Sequence, residues 1–296
     1  SQIESDRPQV EVNQRFALFF PELRPFFLEG AEIFRVRAPV TLVHTRRIVD
    51  PRYGGKLTGK AGRATVGVMY ANDEAVGGAD DPLDPRFEQS AQTFVGRVRY
   101  DLYSESFVGA IFTDRELLDN HSRLAGLDSN FRIGDTHSFG FSALGTQHRN
   151  LDGLETSGYL FDANFSKIGR NLSYSVNSYA LSPDFQTDVG FVRRTDQRQT
   201  FGSVSYRWWP ESWLLNWGPQ VAFGRNYNFD GILEDENVQA GLDFSFSNNI
   251  RLRFDGNRDM ERFGGLDFHK SRYNLFSFIN TSRVIQIGGG LNWGDQ

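Results

Sequence analysis

The chain has no cysteine and only 2 methionines, which removes disulfides, thiolate nucleophiles and Cys-ligated zinc together. Long hydrophobic runs are missing as well. The best candidate, Phe16 to Phe20, stops at Pro21, far short of the roughly 18 residues of a membrane helix. No basic tract interrupts a net charge of -5 over 296 residues, so nucleic acid is not an expected partner. Catalytic signatures are equally scarce. Gly140-Phe141-Ser142-Ala143-Leu144 lacks the second glycine of a nucleophile elbow, and Gly54-Gly55-Lys56 is too short for a phosphate loop. His44, His121, His137, His148 and His269 show no metal-ligand spacing, and the acidic groups Asp80, Asp81, Asp84 and Glu234, Asp235, Glu236 lack an EF-hand pattern. No enzyme activity, cofactor or metal is therefore expected.

What the chain has is aromatic residues, 27 Phe, 10 Tyr and 5 Trp, arranged on a two-residue beat. In residues 238–247 every even position is apolar and every odd one small or polar; Ile250, Leu252 and Phe254 alternate with Arg251, Arg253 and Asp255. Such a strand meets a different environment on each face. These runs approach 10 residues, where strands of soluble sandwiches are commonly about 5–6, and a tilted strand crossing a bilayer needs about 9–11. A mean hydropathy of -0.46 does not oppose this, because only alternate residues of a barrel strand touch lipid. The expected fold class is all-β, a transmembrane antiparallel β-barrel of about 14–16 strands.

Residues 1–37, broken by Pro8, Pro21 and Pro25, read as a lead-in strand and connector, and residues 38–296 as one barrel domain. About 16 strand segments are expected, the first at 39–48, with others at 187–195 and 283–293. The acidic loops 72–86 and 229–236 are candidates for the outer side. Ser1 opens no signal peptide, although an outer-membrane protein needs one, so both termini read as cuts within a longer protein.

Arg46 and Arg47, and likewise Arg193 and Arg194, are adjacent pairs in segments read as strands, so one of each pair faces the lumen. With Arg97, Arg99, Arg251, Arg253 and Asp255 they are candidates for a charged interior, either a selectivity filter or mutually neutralising fill. Trp208, Trp209, Trp213, Trp217 and Trp293 are candidates for an interfacial girdle, since Trp208 and Trp213 flank the turn Pro210-Glu211-Ser212. A sugar-stacking site would use the same residue types.

Residues 15–30 (RFALFFPELRPFFLEG), Thr45-Arg46-Arg47-Ile48, residues 54–60 (GGKLTGK) and the stretch from Ser182 to Arg194 resemble a family of large bacterial outer-membrane proteins of unknown function. In that family a carbohydrate-binding-module-family-9-like domain precedes a C-terminal barrel-like region. The resemblance implies a C-terminal barrel without its sugar-binding-like module, and supplies no settled activity. The expected function is a pore or membrane anchor in the bacterial outer membrane, porin-like in architecture. Its expected partners are outer-membrane lipid and other envelope subunits or glycan. The alternatives are a surface protein capturing glycan or peptide with loop aromatics, and a soluble β-sheet protein.

Overall fold

The computed structural model describes residues 19–74, 83–84, 86–280 and 286–295. The two-residue beat becomes strands: β1 (Pro51–Ala61), β2 (Ala64–Asp73), β3 (Ala91–Tyr103), β4 (Ser106–Leu117), β5 (Asn120–Ile133), β6 (His137–Arg149) and β7 (Glu155–Lys167). They continue as β8 (Leu172–Leu181), β9 (Gln197–Tyr206), β10 (Leu214–Tyr227), β11 (Leu233–Phe246), β12 (Ile250–Phe263), β13 (Leu266–Ile279) and β14 (Ile287–Gly294). All 14 form one sheet in chain order, and the ladders from β1 to β5 and from β9 to β14 are antiparallel. No ladder joins β1 to β14 among the described residues, so the sheet is open at both edge strands. Among the described residues helix is confined to α1 (Pro25–Leu28) and single 3-10 turns at Ala31–Phe34, Thr45–Arg47 and Ser247–Asn249.

Two expected strands are not strands. Residues 39–48 form a 3-10 turn and one isolated bridge, Thr41 to Phe191, and residues 187–195 form a loop between β8 and β9. Their apolar residues pack against the sheet rather than pair within it. The expected strand at 283–293 starts at Ile287, its first residues lying outside the described set. The lead-in strand over residues 1–18 also lies outside it, as do Asp80 and Asp81, while residues 19–37 carry α1 and a 3-10 turn. Pro25 opens α1 at a position where its missing N–H costs nothing.

The described residues divide into two compact units. One runs to Phe131 and takes in Gly140–Asp162 and Ala180–Asp196; the other takes Arg132–Phe139, Ala163–Tyr179 and the residues from Gln197 onward.

In the first unit the two sheet faces are opposite in character. On β3, Thr93, Val95 and Arg97 are 1%, 0% and 2% exposed, whereas Phe94, Val98 and Tyr100 on the other face are 37%, 46% and 46% exposed. The same inversion runs through β4 and β5. Ile111, Thr113, Leu124 and Asp128 are covered, and Val108, Phe112 and Leu127 are bare. In water the aromatic face would be the one expected to hide.

Candidate functional site

The covered face owes its cover to two stretches of the chain itself, residues 19–50 and 182–191, both within the first unit. Seven side chains close one apolar cluster beneath them: Phe27, Phe34 and Ile48 from the first stretch, Val189 from the second, and Met69, Ala71 and Val95 from the sheet. The stretches also bind each other, His44 N donating to Val189 O at 2.8 Å and Phe191 N to Thr41 O at 2.7 Å.

Polar pins fix both segments. Asp73, fully buried at the end of β2, accepts from the backbone N–H of Val49 and Asp50 at 3.1 and 2.7 Å. Arg24 donates to the carbonyls of Ile48 and Thr45 at 2.7 and 2.8 Å and pairs with Glu22 at 2.8 Å. Burial alone would push the Glu22 carboxyl up; hydrogen bonds from the Arg24 side chain, Thr45 and the Arg24 backbone, with the Arg24 charge, reverse this and hold it at about 2. His44, between the rings of Phe19 and Phe191, is held below its ordinary value by burial first and then by the nearby Arg47 charge. On the second stretch, Asp188 N donates to Ser122 Oγ at 2.9 Å, His148 Nε2 lies 3.4 Å from Asp188, and Gln186 reaches His148 at 3.1 Å. Phe185 lies directly on Gly158 of β7, where even a methyl group would strike its backbone.

The structure disperses the arginines nominated from sequence. Arg97 is buried against Asp128 of β5, 2.6 Å from Nη1 to Oδ1 with a hydrogen bond of 2.8 Å beside it, and Arg37 of the covering stretch donates its backbone N–H to the same carboxylate at 3.4 Å. Arg99 shares Asp101 with Lys60, at 3.0 and 2.7 Å. Arg46 and Arg47 sit in the 3-10 turn, and Arg193 and Arg194 in the loop after β8, so neither pair alternates across a strand. Arg47 donates to Gly190 O at 3.3 Å, joining the two stretches. In the second unit Arg253 and Asp255 pair at 3.0 Å, Asn274 donates to Asp255 at 2.8 Å, and Arg251 is exposed. Sequence reasoning missed Asp128, Asp73, Glu22, Arg24 and the His148–Asp188 contact, each of which meets a partner remote in the chain or on another element.

Of the five tryptophans, Trp208 stacks on Trp217 at 4.6 Å, Trp217 on Phe244 at 6.0 Å, and Trp213 on Phe246 at 5.7 Å, a continuous aromatic patch beside the β9–β10 connection. Trp209 donates Nε1 to Arg170 O at 3.1 Å, next to that patch in sequence. Trp293 stands apart on Tyr273, midway along β13, at 5.9 Å.

The bare face of the second unit also has a boundary. On β11, Val238, Ala240, Leu242, Phe244 and Phe246 face the same side, and the next position on that side is Glu236, paired with Arg225 of β10 at 2.6 Å. In the first unit the corresponding limit is Arg123, paired with Asp114 at 3.4 Å and Glu116 at 2.9 Å.

Among the described residues no helix is long and apolar enough to cross a membrane, and no group of three or more His, Asp or Glu side chains forms a metal-ligand set. No curated protein and no solved structure matches the chain. A family does match over residues 125–291, most of the sheet from β5 to β14, and by that match this chain belongs to the family defined by a domain of unknown function, DUF5916.

Proposed function

We propose that this chain is a transmembrane β-barrel of the bacterial outer membrane that anchors a larger surface or periplasmic assembly. The carrying observation is the inverted sheet. Side chains of the Phe94, Val98 and Leu127 face are left bare while arginine, aspartate and threonine are covered, the arrangement expected when one face meets lipid.

The extent of the bare band agrees. Positions 238 to 246 of β11 span about 27 Å along the strand at 3.4 Å per residue. Tilted by about 40°, that gives about 20 Å of height, close to the apolar band of about 25 Å typical of such barrels. The Arg225–Glu236 and Arg123–Asp114 pairs then fall at headgroup level, as does the Trp208–Trp217–Phe244 patch.

An anchor is favoured over an open pore because residues 19–50 and 182–191 occupy the inner face of the first unit. A barrel of 14 strands is too wide for its side chains to fill, and these segments supply packing that side chains alone would supply in a barrel of about 8. In planar bilayers the chain is expected to insert without a steady ohmic current. A steady current would make it a pore, and monodisperse behaviour in plain buffer would remove the membrane reading altogether.

A further inference from the structure

We propose that the cavity between the first covering stretch and β2, within the first unit, binds a single-chain amphiphile with an anionic head, a carboxylate of the fatty-acid class. The cavity has a volume of about 490 Å³, inside the range of about 300–1,000 Å³ in which small molecules are held. The buried residues that line it are all apolar: Phe27, Phe34 and Leu42 from the covering stretch and Met69 from β2, each at most 5% exposed. Such walls accept an alkyl chain, because each methylene placed against them leaves water.

The second observation is the charge at this cavity. Glu22, Arg35, His44 and Lys56 also line it, and three of these are already occupied. Glu22 pairs with Arg24 at 2.8 Å and accepts from Thr45 Oγ1 at 2.6 Å. Lys56 donates to the carbonyls of Phe26 and Glu29. The His44 ring packs against those of Phe19 and Phe191. Arg35 is left: it is exposed, and its guanidinium makes no hydrogen bond, ion pair or ring contact among the described residues. A guanidinium presents a fork of N–H donors that matches a carboxylate. Apolar walls with one uncommitted cation at the exposed side complement a molecule that has a tail and one negative charge. An alcohol would leave Arg35 unmet, an amine would meet Arg35 and Lys56 as like charges, and a two-chain lipid exceeds the drug-sized ligand that such a volume holds. The inference does not depend on the membrane reading, since it uses only this unit's own walls.

The test is calorimetric titration of the folded full chain with octanoate, in whichever medium keeps the chain monodisperse, with the same medium lacking protein as the blank. Octanol, octylammonium and acetate are the comparison probes. Saturable binding of one octanoate per chain is expected, with octanol at least tenfold weaker and no binding of octylammonium or acetate. Arg35→Gln should weaken octanoate at least tenfold and leave octanol unchanged, and Ala38→Phe, which fills the cavity from its lining, should abolish octanoate binding. Should Ala38→Phe fail to fold, as seen in its melting profile, Arg35→Gln at its exposed position decides alone. The proposal is overturned by absence of saturable octanoate binding, by equal binding of octanol or octylammonium, or by octanoate binding unchanged in a folded variant.

Discussion

Arg97 and Asp128 meet across an intervening strand, 2.6 Å apart with side chains 1% exposed, over Gly109 of β4. A Cβ on Gly109 would lie 2.7 Å from both guanidinium nitrogens and from Asp128 Oδ1, so the pair exists in this form because that position has no side chain. It ties β3 to β5 and, through the Arg37 backbone, ties the covering segment to both.

Breaking this pair leaves a buried charge without its partner. Arg97→Met is expected to destabilise the fold by about 3–5 kcal/mol, and Arg97→Met with Asp128→Leu to recover most of the loss. Urea unfolding of the two variants in the same detergent checks this. A double variant as unstable as the single one would show that the pair is not the source of the cost.

Gly158→Val should act on residues 182–191 rather than on the strands, because Phe185 rests on Gly158. Overpacking of this kind costs about 1–3 kcal/mol. Proteolytic cleavage after residues 182–191 should become faster while the strand content by circular dichroism stays unchanged. A cleavage rate equal to wild type would contradict the contact.

The Glu22 carboxyl, held at about 2 against an ordinary 4.5, gives the first segment a pH response. A depressed carboxyl contributes stability that is complete above about pH 4.5 and is lost as pH falls toward about 2. The protection of the Ile48 amide against exchange, relative to its intrinsic rate at each pH, should therefore fall over that window, since Arg24 holds the Ile48 carbonyl at 2.7 Å. Glu22→Gln should flatten the response and weaken docking by about 1–2 kcal/mol; an unchanged pH profile in the variant would rule out Glu22 as its source.

Leu127, 57% exposed in the middle of β5, separates the two environments the bare face could have. In lipid vesicles Leu127→Arg is expected to cost about 2–4 kcal/mol of stability. On a water-facing surface the same change would stay within about 0.5 kcal/mol.

The strands were legible because their period is local: Val238 to Phe246 declares two faces without any knowledge of a partner strand. Residues 39–48 and 187–195 misled for the same reason. Val40, Leu42, Val189 and Phe191 have a strand-like beat, yet they serve the apolar cluster and its neighbourhood, with a single bridge between Thr41 and Phe191. Arg97 could be nominated from its place in an alternating run, but its partner could not, since Asp128 comes opposite only when β3, β4 and β5 are in register. The same holds for Asp188 and His148, 40 positions apart and joined by a loop folding back on the sheet.

The most direct test is the collision accessibility of spin labels placed one at a time along residues 93–100 of β3 in the vesicle-reconstituted chain. The account predicts a period of two, with labels at 94, 98 and 100 open to lipid-dissolved oxygen and closed to a water-soluble nickel complex, and labels at 93, 95 and 97 closed to both. High nickel accessibility at 94, 98 and 100 would place the aromatic face in water and contradict it.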